Sequence, residues 1–67
     1  MNKADWLFKL RRVREIDTLD KIIERKENSL PLTELIVFYS AADHRYAEIK
    51  TGKLFDKVPP YVWSLVR

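Results

Sequence analysis

Between Pro31 and Gly52 the chain runs for twenty residues, LTELIVFYSAADHRYAEIKT, with no glycine or proline and with apolar residues returning at helical spacing. Pro31 has no N–H and suits the opening turn of a helix, while Gly52 can adopt a left-handed stop, so this segment is predicted to form one long helix. In a chain of 67 residues everything else must then pack around it. A single Gly, three Pro and few alternating apolar and polar stretches leave little for β-structure, and the fold class expected is all-α.

The remaining elements follow from the same spacing. A first helix is predicted from about Lys3 to Val13, with Trp6, Leu10 and Val13 on one stripe, Leu7 at its edge, and Lys9, Arg11 and Arg12 on the other side. A second, roughly residues 17–28, opens near Asp17 or Thr18 as cap and carries Leu19, Ile22, Ile23 and Lys26 at helical spacing. Pro59 and Pro60 begin a short terminal helix whose Val62, Trp63 and Val66 can close over the core. The expected architecture is one small domain, residues 1–67, of four helices, the third longest and the fourth short. With 46% hydrophobic and 34% charged residues this is a folded unit rather than a disordered tail. Without cysteine there is no disulfide or thiolate zinc site to brace it, and packing must suffice. The opening MNKADWLFKLRRVREID has no apolar run long enough for a signal peptide, and no stretch approaches the roughly 18 apolar residues of a membrane span. A cytoplasmic protein is expected.

Residues 38–45, FYSAADHR, place a serine, an aspartate and a histidine within five positions. On a helix, Ser40 and His44 are i,i+4 neighbours, whereas the consecutive Asp43 and His44 diverge by about 100°. The orienting leg of a hydrolase triad is therefore missing, and no nucleophile elbow accompanies it. His44 with Glu48 is a poor start for a metal site, because one histidine and no cysteine leave only carboxylates to complete it. His44 is expected to be an exposed or half-buried helix residue. No catalytic residue, metal, cofactor or small-molecule substrate is expected.

The predicted core arc of the third helix runs through Leu35, Phe38, Ala42, Tyr46 and Ile49, and Asp43 lies at its border beside Ile36 and Ala47. A carboxylate flanked by apolar and small side chains suits an incoming arginine, since a partly shielded charge pair outweighs a surface bridge of about 0–1 kcal/mol. An internal pair with a Lys or Arg of a neighbouring helix is the alternative.

Charge is unevenly spread. Residues 1–14 hold Lys3, Lys9, Arg11, Arg12 and Arg14 against Asp5, a net +4 within a total of +3, so the rest of the chain sums to −1. The long helix, with Glu34, Asp43 and Glu48 against Arg45 and Lys50, is net negative and unsuited to enter a DNA groove as a recognition helix. The basic cluster around the outward Phe8 can add phosphate contacts, which strengthen DNA association without sequence preference. A merely solvated helix face is the competing reading.

The run FYSAADHRYAE, followed by KLFDKVPPYVW and preceded by LRRVREIDTLDKIIE, resembles the Hha/YmoA family of small bacterial expression modulators over nearly the whole chain. The resemblance implies a four-helix, non-enzymatic, nucleoid-associated protein that binds the N-terminal dimerisation region of H-NS-type proteins and tunes silencing of virulence and horizontally acquired genes. It also implies that the aspartate of AADHR, here Asp43, meets an arginine of the partner, assisted by an acidic residue of the second helix, here Asp20. Lys9, Arg11 and Arg12 match basic positions thought to face DNA. Some positions depart from the family pattern: Val13 stands where relatives have a cysteine, Asp20 replaces a longer Glu, SLPLTE replaces a Ser-Asp helix start, and Glu27 weakens the basic stretch between the second and third helices.

The expected function is that of a transcriptional co-regulator. Its partner-binding residues are Asp43, Asp20, Ile36 and Ala47; its DNA-facing residues are Lys9, Arg11, Arg12 and Arg14. It contacts DNA non-specifically and mainly through the complex, and no membrane is involved. The rival classes are an autonomous DNA-binding repressor and an antitoxin-like partner-binding protein.

Overall fold

The computed structural model describes residues 1–64 and contains four helices: α1 (Lys3–Leu10), α2 (Ile16–Glu27), α3 (Leu32–Thr51) and α4 (Pro60–Trp63). The all-α class is borne out, with α3 the longest, α4 short and no strand among the described residues. Helices α1 and α2 pack along α3, and α4 closes on it after the chain turns back at Gly52.

The boundaries have local causes. Asn2 caps α1 by accepting the Asp5 N–H on its side-chain oxygen at 2.9 Å. α1 ends at Leu10, short of the expected Val13, because the chain turns there with Val13 N–H on Leu10 O at 2.9 Å. The carbonyls of Arg11 and Val13 then find a partner in the guanidinium of Arg45, which donates to Val13 O at 2.8 and 3.0 Å and to Arg11 O at 3.4 Å. α2 begins at Ile16, one residue early, with Glu15 in the cap position and no side-chain cap bond; Asp17 lies in the first turn instead, where its charge suits the unpaired N–H groups. Pro31 immediately precedes α3, and Gly52 stops it at φ 70°. Pro60 opens α4, as its fixed φ favours.

The main core gathers Trp6, Leu10, Leu19, Ile23, Leu35 and Phe38 with the fully buried Ala41 and Ala42. Trp6 meets Phe38 edge-on, ring centroids 5.1 Å apart at 80°, and the Lys26 ammonium lies 5.5 Å from the Trp6 ring centroid. A second cluster joins Ala47 to Val58 and Val62, with Phe55 against it. Trp63 is exposed, and Val66 lies outside the described residues.

The buried face of α3 is wider than the predicted arc. Leu35, Phe38 and Ala42 are buried as expected and Tyr46 and Ile49 partly so, but Ala41, His44, Arg45, Ala47 and Glu48 are buried too. The C-terminal half of α3 is covered from two sides, by α1 and by the returning segment that carries Phe55, Val58 and Val62. An amphipathic pattern presumes one covered side, so it misses this.

Truncating the central ring, Phe38→Ala, is expected to cost about 3–5 kcal/mol. Gly52→Ala should cost about 1–2 kcal/mol from its left-handed backbone alone, since no atom lies within 4 Å of where the methyl would stand. Urea unfolding midpoints check both.

Candidate partner and nucleic-acid surfaces

Glu48 is a buried carboxylate, 1% exposed, held by four donors. Arg11 grips it with Nε on Oε1 at 3.2 Å and Nη2 on Oε2 at 2.7 Å, Arg45 adds Nη1 on Oε1 at 3.1 Å, and the Phe55 backbone N–H reaches Oε2 at 2.9 Å. The Phe55 carbonyl accepts in turn from Arg11 Nη2 at 3.3 Å and lies 2.7 Å from His44 Nε2. A carbonyl oxygen only accepts, so Nε2 carries the hydrogen. One carboxylate thus ties the end of α1, the C-terminal part of α3 and the returning segment together.

The charges respond accordingly. Burial alone pushes the Glu48 carboxyl up, but the hydrogen bonds from Arg11, Phe55 and Arg45 outweigh it, and its pKa falls below its ordinary value. The Glu48 hydrogen bond raises the Arg11 pKa against the smaller effect of burial, with Asp56 nearby adding to it.

Two expectations change here. His44 is not exposed or half-buried but only 2% exposed, because the returning segment lies over it. Ser40, one turn before His44 on α3, is exposed. Arg11 does not serve as a free DNA-facing cation: its side chain is 35% exposed and its guanidinium is committed to Glu48. Among the described residues no group of three or more His, Asp or Glu gathers as a metal site would require.

The other positions divide by helix. Asp43 is half-buried on α3, and Ile36 is 64% exposed. Leu32, one turn before Ile36, is 73% exposed, so Leu32, Ile36 and Asp43 form one stripe at spacings of four and seven. Leu32 begins the helix, where the spacing has no earlier turn to refer to, so periodicity does not single it out. Ala47 corrects the expectation that it would line this surface: Val58 and Val62 bury it completely, so it sets how closely α4 approaches. Asp20 is exposed on α2, and Lys9, Arg12 and Arg14 are exposed along and after α1, beside a 71% exposed Phe8.

Residues 8–64, which hold all of this constellation, match the family described as haemolysin expression modulating protein. The chain belongs to that family. Two relatives of this family member are both named OriC-binding nucleoid-associated protein, one in Escherichia coli O157:H7 and one in Shigella flexneri serotype 5b (strain 8401). Each is 39% identical to it over a 71-residue alignment that covers the whole of both chains. The resemblance carried by FYSAADHR and KLFDKVPPYVW therefore holds at the level of the family. No helix among the described residues of this family member is long and apolar enough to cross a membrane.

Glu48→Gln is expected to destabilise the protein by about 3–5 kcal/mol, because it leaves two guanidiniums facing a neutral amide. The pH dependence has a definite sign. The folded-state pKa of Glu48 is depressed, so its contribution is complete above the unfolded value of about 4.3 and is lost as pH falls through the lower folded value. Urea titrations across the acid range should show a shallower acid limb for Glu48→Gln than for the wild type.

Proposed function

We propose that this chain is a transcriptional co-regulator that docks on the N-terminal dimerisation region of an H-NS-like nucleoid protein. There it adds positive charge to the DNA-facing side of the complex and so modulates silencing. The observation that carries the docking half is the α3 stripe, in which the exposed Leu32 and Ile36 lead to the half-buried carboxylate of Asp43. An apolar strip seats a partner helix, and a carboxylate at its end, partly shielded from water, fixes register by accepting a guanidinium. Asp20 on the exposed face of α2 supports the same arginine with a shorter reach than a glutamate would give. Membership of an expression-modulator family and the nucleoid-associated name of the relatives support the setting, cytoplasmic and on the nucleoid.

The DNA half rests on Lys9, Arg12 and Arg14, the exposed cations near the end of α1. Arg11 serves instead to hold that end rigid against Glu48. Such charges release counterions without reading bases, so the action is additive and non-enzymatic.

Asp43→Asn is expected to weaken binding to an immobilised H-NS dimerisation fragment by about 2–5 kcal/mol, the range for truncating one partner of a shielded charge pair. Unchanged affinity removes the docking half. Replacing Lys9 and Arg12 together by Ala should reduce the slope of log affinity against log salt for the mixed complex by roughly 0.9 for each phosphate no longer neutralised. An unchanged slope removes the DNA half.

A further inference from the structure

Beside the C-terminal end of α3 a groove of about 270 Å³ opens between Arg14, in the connection after α1, and Lys53, just past Gly52. These two cations are far apart in sequence, and only the fold brings them to one groove. Ile49, Gly52 and Leu54 form its walls, and the buried Arg45 and Glu48 its floor.

Three features suit the groove to an anion. Glu48 does not repel one, because Arg11 and Arg45 already hold its carboxylate from within; even with Asp56 near Arg11, four cations stand against two acids. The negative end of α3 is blunted, since the Gly52 and Lys53 N–H groups take the Ile49 and Glu48 carbonyls at 3.3 and 3.1 Å. Gly52 presents bare backbone with open space where a side chain would stand.

We propose that this groove binds a backbone phosphate of nucleic acid, clamped between the Arg14 fork and the Lys53 ammonium, with the exposed Leu54 against the adjoining sugar. The proposal rests on the DNA-facing reading above and adds Lys53 to it. Arg14 and Lys53 are both exposed, so a small free anion gains little there by leaving its water, whereas a phosphodiester brings an apolar sugar for Leu54 to cover. The contact positions the chain on the duplex and carries no sequence preference.

The test is fluorescence anisotropy of the full chain on a labelled DNA duplex over a series of salt concentrations. The variants are Arg14→Ala, Lys53→Ala, both together, and Lys9→Ala with Arg12→Ala. If one phosphate is held only when Arg14 and Lys53 clamp it together, either single change frees it and lowers the salt slope by about 0.9, and the pair lowers it by no more than either alone. The wild type's advantage over each single variant then shrinks about three- to fourfold between about 50 and about 200 mM salt. An unchanged slope in Lys53→Ala overturns the proposal, as do losses that add in the pair, or no measurable binding by the wild type at low salt. Inorganic phosphate, titrated while amide shifts at Gly52 and Lys53 are followed, separates the two sources: saturation by free phosphate with no response to duplex overturns it too. The Lys9 and Arg12 variant reads the earlier proposal independently. If it lowers the slope while Lys53→Ala does not, only the groove fails.

Discussion

Everything in this small protein leans on the carboxylate of Glu48. Removing such a group from water costs several kcal/mol, and a core of this size has little to spare. The structure offsets that cost with a bidentate arginine from the end of α1, a second arginine one turn away on α3 and a backbone N–H from the returning segment. The donors come from three separate pieces of chain, so the one carboxylate joins them. In a sequence without cysteine this polar clasp does the joining that a disulfide does elsewhere.

The clasp also sorts the charged residues by role. The guanidiniums of Arg11 and Arg45 are turned inward, whereas Lys9, Arg12 and Arg14 stay exposed. Asp43 and Glu48 are five residues apart on the same helix, about 140° around its axis. Thus α3 carries the clasp on one side and the apolar stripe ending in Asp43 on another. The proposed docking stripe shares no residue with the clasp.

How much of this the sequence discloses depends on what kind of interaction decides each residue. The helix count, the long α3, the Gly52 stop and the packing of Trp6, Leu10, Leu19, Ile23 and Phe38 follow from spacing and from local backbone chemistry. His44 departs from its expectation, and nothing local marks Arg45 and Glu48 as buried, because polar residues default to the surface and the burial of all three depends on a segment that comes back from beyond Gly52. Arg11 was misplaced for the same reason: its partner is 37 residues away, and no local rule distinguishes a cation that folds inward from one that faces solvent. A faint signal was present in the spacing of His44, Arg45 and Glu48, which puts all three within a turn of one another. Ala47 was placed beside Asp43 by the helical wheel, which cannot anticipate α4 folding over it. The family, in contrast, was legible from motifs alone, and residues 8–64 bear it out.

Calorimetric titration of the chain into an H-NS dimerisation fragment, with duplex DNA alone as control, separates a co-regulator from an autonomous repressor in one measurement. A co-regulator gives saturable heat with the fragment, and its own DNA binding is indifferent to sequence and fades as salt rises. Absence of heat with the fragment, together with sequence-selective DNA binding by the chain alone, contradicts that role.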